Sequence, residues 1–70
     1  MLYFFERAGS VIRCEIRLDW NGLGYELVID APDSVRVERF HESTALNQRW
    51  VELEGRLLSE GWSEPDHRRR

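Results

Sequence analysis

The sequence predicts an α+β fold: a four-stranded antiparallel meander with one C-terminal helix packed on one face, in the order β-β-β-β-α. Three observations predict it. Apolar and charged residues alternate strictly from Val11 to Trp20. Short turn-forming clusters recur as far as His41, and from Ser43 the apolar spacing changes from two to three and four.

The alternation is the clearest element. Ile12, Cys14, Ile16, Leu18 and Trp20 are separated by Arg13, Glu15, Arg17 and Asp19, so one face of a strand meets a core and the other meets water. Before it, Leu2–Arg7 is aromatic and strand-favouring, and Ala8-Gly9-Ser10 is a hairpin connection. A two-residue turn at Gly9-Ser10 would send Leu2 and Phe4 outward and set Glu6 against Arg13. A three-residue loop would send Tyr3 and Phe5 outward instead.

After Trp20, Asn21-Gly22-Leu23-Gly24 reads as a turn, since Asn-Gly readily accepts positive φ. Tyr25–Asp30 is the third strand, with Tyr25, Leu27 and Ile29 inward. Ala31-Pro32-Asp33-Ser34 is a Pro-initiated turn. Val35–His41 is the fourth strand, with Val35 and Val37 inward. Phe40 falls out of that phase, which predicts a bulge near Glu38 or Arg39.

The helix follows. Leu46, Trp50, Leu53 and Leu57 form a stripe that Val51 and Leu58 widen, over about 17 residues. Ser43 or Thr44 supplies an N-cap hydroxyl, and Glu52 and Arg56 an i,i+4 ion pair. Gly61 at the left-handed position and Trp62 folding back on Leu57 describe a Schellman ending. Residues 1–62 make one domain, and 63–70 a flexible basic tail ending in His67-Arg68-Arg69-Arg70.

A chain of 70 residues buries only about 62% of its unfolded surface, so its stability is marginal and any partner surface counts. Cys14 is the one cysteine, which excludes an internal disulfide and fits a reducing cytoplasm. Cys14, His41 and His67 share no zinc-type spacing, so no metal or other cofactor is expected. The longest apolar run, Met1–Phe5, is far too short for a membrane span or an export signal. Ten basic residues, all arginine, stand against thirteen acidic ones, a balance that disfavours nucleic acid and anionic lipid.

Signals for chemistry are weak. Cys14 sits on the inward side of its strand, where a thiol is inert. His41 beside Glu42 has no nucleophile, metal or pocket signature near it, and reads as a solvated strand end. Gly22-x-Gly24 lacks the third glycine and following helix of a phosphate loop. No catalytic constellation is present, and an enzyme is not expected.

Surface is the more informative quantity. A helix about 10–12 Å wide cannot roof four strands spanning roughly 14–19 Å. The residues expected to meet a second copy are Trp20, Tyr25, Val35, Trp50, Leu57 and Trp62, which makes a homodimer the expected state. The opposite face is expected to carry Arg13, Glu15, Arg17, Asp19, Glu26, Asp30, Arg36 and Glu38. An alternative use of that face is a stacking platform for unpaired bases, built from Tyr3, Phe4 or Phe5 with Arg13, Arg17 and Arg36.

Cys14-Glu15-Ile16-Arg17, Gly24-Tyr25-Glu26-Leu27-Val28-Ile29 and Val37-Glu38-Arg39-Phe40 together resemble a set of short hypothetical bacterial proteins, over most of the chain up to Trp62. That resemblance implies no activity and no site residues. In element order alone, β-β-β-β-α is similar to the repeats of Whirly and PUR-type single-stranded nucleic-acid binders, in which two units combine through their helices. The function expected is a non-catalytic cytoplasmic module acting by homo-oligomerisation and contact with a protein partner. The alternative is a single-stranded DNA or RNA binder.

Overall fold

The computed structural model of this chain describes residues 1–64, which form β1 (Leu2–Arg7), β2 (Ser10–Leu18), β3 (Tyr25–Ala31), β4 (Ser34–Phe40) and α1 (Ser43–Ser59). The strands pair antiparallel in chain order, β1-β2-β3-β4, and α1 packs on one face of the sheet. The expected α+β arrangement is the one observed. Phe5, Cys14 and Leu27 are wholly enclosed between the layers, with Ile12, Ile29, Leu46, Leu53, Leu57 and Trp62 around them.

The first hairpin pairs Arg7 with Ser10, so the turn is Ala8-Gly9. Both residues have positive φ, 50° and 84°, as the tightest hairpin turns require. Leu2 and Phe4 therefore face outward, but with partners two residues away from those expected for a Gly9-Ser10 turn: Phe4 opposes Arg13 and Glu6 opposes Val11. Alanine is a poor residue for this conformation. Ala8→Asn should stabilise the domain by about 1 kcal/mol, because asparagine tolerates the left-handed region and alanine does not. An unchanged urea midpoint would show that Ala8 carries no strain.

The second strand ends at Leu18, not Trp20. The Asp19 amide bonds the Gly24 carbonyl at 2.8 Å, the Gly22 amide bonds Asp19, and the Leu23 amide bonds Asn21 Oδ1. Trp20 thus lies in the loop, and the alternation that placed it on the core face stops short of it.

The fourth strand corrects the sequence reading most. Pairing runs without interruption from Ala31↔Ser34 to Tyr25↔Phe40, so there is no bulge at Glu38 or Arg39. Ile29 opposes Arg36 and Leu27 opposes Glu38; Arg36, Glu38 and Phe40 therefore share the helix side. Val35 and Val37 lie on the other face, opposite Asp30 and Val28. The two-residue Pro32-Asp33 turn sets this parity, and it outweighs the apolar character of the valines.

In α1 the stripe is narrower than expected: Leu46, Leu53 and Leu57 are buried, Trp50 is half-buried, and Val51 and Leu58 are exposed. Glu52 takes Arg49 at 3.3 Å in place of the expected Arg56. The N-cap is Glu42, in extended conformation and making no side-chain cap bond, so neither Ser43 nor Thr44 caps. A glutamate is too long to reach back to the first-turn amides. Glu42→Ser or Glu42→Asp should therefore add about 1 kcal/mol, read as a higher melting temperature; no gain would mean water already satisfies those amides.

The other end behaves as expected. The Trp62 amide bonds the Leu57 carbonyl and the Gly61 amide bonds Leu58, with Gly61 at φ 96°, a Schellman pair. The chain does not leave the domain at 62. Glu6 and Ser63 exchange backbone bonds at 2.8 and 3.0 Å, so Ser63, expected in the tail, docks on the free edge of β1. The remainder of the expected basic tail, His67 to Arg70, lies outside the described residues.

Candidate functional site

Two polar constellations and two apolar surfaces are built on this frame. On the face away from the helix, Arg17 opposes Glu26 and Glu26 opposes Arg39. Each guanidinium takes one carboxylate oxygen: Arg17 Nε donates to Oε1 at 2.9 Å and Arg39 Nε to Oε2 at 3.0 Å. Glu26, only 6% exposed, is covered by its own partners. Glu15 continues the chain, 3.4 Å from Arg13 and 3.7 Å from Arg17. On the helix side, Arg49 of α1 grips Glu38 of β4 with two bonds of 2.8 and 3.1 Å, and Arg36 adds a third at 3.2 Å. This fork ties helix to sheet with fixed geometry.

Both carboxylates are held below the ordinary value of 4.5. For Glu26 the Arg17 hydrogen bond is the main cause, opposed by desolvation and helped by Arg39; for Glu38 it is the Arg49 hydrogen bond, again opposed by desolvation. A depressed folded-state pKa contributes stability that is fully present above the unfolded value and is lost as pH falls through the folded one. The urea midpoint should therefore be flat near neutrality and drop as pH falls below about 4.5. Glu26→Gln and Glu38→Gln should each flatten that drop; an unchanged acid limb in both variants would exclude these pairs as its source.

The Cys14 thiol is pushed up to about 11 by burial, and it is fully enclosed. It has no thiolate to offer in the folded protein.

The residues expected to meet a second copy do not form one surface. Trp20 is 91% exposed in the β2–β3 loop, beside exposed Leu18 and Leu23. Val35 is 65% exposed, but on the face away from the helix. Tyr25 and Trp50 pack against the core; Trp50 stacks on Tyr3 at 4.5 Å and approaches Phe5 at 6.0 Å. Leu57 and Trp62 are buried within the chain.

The stacking platform is likewise divided. Phe4, Arg13 and Arg17 share the open face, whereas Tyr3, Phe5 and Arg36 lie on the helix side. Arg13 and Arg17 are already engaged by carboxylates. Of the charges expected on the open face, Arg36 and Glu38 are absent from it, and Arg39 takes their place. Sequence reasoning missed Arg39, Arg49 and Arg7. The first two follow only from strand parity. Arg7, whose guanidinium lies 4.5 Å over the Trp62 ring and donates to the Glu60 carbonyl at 2.8 Å, needed the β1–helix contact.

That contact borders an open depression of about 390 Å³ lined by Arg7, Ser10, Ile12, Asp33, Leu57 and Trp62 among others. Among the described residues no three His, Cys, Asp or Glu side chains are grouped to hold a metal ion, and no helix is long and apolar enough to cross a membrane. No protein-family model, curated protein or solved structure matches this chain.

Proposed function

We propose that this chain is a non-catalytic module of the cytoplasm that works through homo-oligomerisation and contact with a protein partner. The observation that carries the reading is the exposed apolar surface: Trp20 stands almost free at the β2–β3 end with Leu18 and Leu23, while Val35 and Val37 lie bare on β4. Tryptophan is strongly enriched where partners bind and costly to leave in water. A small domain with a marginal core gains most from covering such groups.

Light scattering and sedimentation equilibrium test the reading directly. The expected species has twice the 8.4 kDa of one chain. A monomer at high micromolar concentration would refute self-association. The same samples titrated with fluorescent single-stranded oligonucleotides at low salt should show no binding. A log–log salt slope of several units would instead favour the nucleic-acid reading.

A further inference from the structure

We propose that a second copy of this chain pairs antiparallel with the free edge of β4, with Val37 on the two-fold axis, joining the two sheets into one. This rests on the self-association reading and specifies its geometry.

The edge is open by construction. The Asp19 amide bonds Gly24 across β2 and β3, and in an antiparallel ladder bonded residues alternate. Glu26, Val28 and Asp30 therefore turn their backbone groups to β2, and Tyr25, Leu27, Ile29 and Ala31 turn theirs to β4. Their partners are Phe40, Glu38, Arg36 and Ser34. Val35, Val37 and Arg39 are left with N–H and C=O groups pointing away from the sheet. The opposite edge is not equivalent, because Ser63 already occupies Glu6 of β1. Among the described residues the β4 edge has no such cover, and Ser34–Phe40 holds no bulge and no proline; the charges Arg36, Glu38 and Arg39, which guard an edge when unmatched, are the groups that the register must pair.

The side chains select the partner and the register. Centring on Val37 aligns the strand over its whole length, from Ser34 against Phe40 to Phe40 against Ser34. It sets Arg36 directly against Glu38 of the second copy, and Glu38 against its Arg36, at the closer-spaced positions of the ladder. Val37 meets its own counterpart on the open face, and Val35 meets the aliphatic stem of Arg39. Shifting the axis to Arg36 would oppose the two Arg36 side chains; shifting it to Glu38 would oppose the two glutamates. Like charges directly opposite are destabilising, so the sequence of β4 favours one self-complementary register. The local charge also balances: in each copy Arg36 and Arg49 face Glu38 and Glu52.

Three single variants test this. Val37→Pro removes an edge-facing amide without touching the β3–β4 ladder, so circular dichroism should stay native while the dimer Kd rises at least tenfold. Val37→Cys should oxidise to a covalent dimer, since facing bonded residues have Cα atoms about 5.5 Å apart, within disulfide reach. Val35→Cys should not, because the two copies of residue 35 stand about 14 Å apart along the strands in this register. Buried Cys14 stays silent in both. The cysteine pair keeps the test decisive even if the proline variant unfolds. A dimer indifferent to Val37→Pro, or one cross-linked by Val35→Cys in preference to Val37→Cys, overturns the β4 pairing and leaves self-association through another surface. A wild-type chain that is monomeric at high micromolar concentration overturns both.

Discussion

Replacing Trp62 by alanine should unfold the domain at room temperature. Trp62 is buried in the core cluster with Ile12, Leu57 and their neighbours. Its amide completes the Schellman pair, and its ring carries the Arg7 guanidinium. Truncating a buried tryptophan costs about 3–5 kcal/mol. A single core in a domain this small rarely supplies more than about 3–5 kcal/mol in total. Far-UV circular dichroism of Trp62→Ala should show a largely unfolded chain, whereas Trp62→Phe keeps the ring and should stay folded with a lower melting temperature. A folded Trp62→Ala with a melting point close to wild type would mean that Trp62 adds nothing to the core and is free to serve as an interface residue.

The second large effect is expected at Gly24. An alanine Cβ there would stand 2.6 Å from the Phe40 carbonyl oxygen, and the obstacle is backbone at the end of a paired strand. Neither side can yield without pulling β4 off β3 or opening the β2–β3 loop. Gly24→Ala should lose about 1–3 kcal/mol. Gly22→Ala is an informative comparison, since nothing lies within 4 Å of a Cβ there and only its φ of 75° is at issue. A urea midpoint for Gly24→Ala no lower than that of Gly22→Ala would rule out the close approach as the cause.

Gly24 also illustrates a limit of sequence reading. It was legible as a turn residue but not as a contact, because the requirement comes from Phe40, distant in the chain. The same distinction runs through the site. Arg17 and Glu26 were both recognisable as charges on the open face, yet their bond, and the second guanidinium from Arg39, depend on the register of two hairpins. Glu38 was expected on the open face and Arg49 had no assigned role, until the parity of β4 placed Glu38 under the helix and within reach of Arg49.

Residue pattern alone was enough for the element order, the boundaries of β1, the C-terminal end of α1, the inward residues Ile12, Cys14 and Ile16 of β2 and Tyr25, Leu27 and Ile29 of β3, and the Schellman ending at Gly61-Trp62. Those features are written in local period and turn chemistry, which need no distant partner. It took the assembled fold to show which way β4 faces, where Trp20 goes, and that Ser63 covers one edge while no other described residue covers the β4 edge. Val35 and Val37 have the composition of a buried face, but strand parity is inherited through a turn from the neighbour already fixed. Ile29 and Leu27 face the helix, a two-residue turn follows, and Arg36 and Glu38 must face it too. That inheritance leaves two valines and an open ladder at the edge of the sheet, where a second copy can meet them.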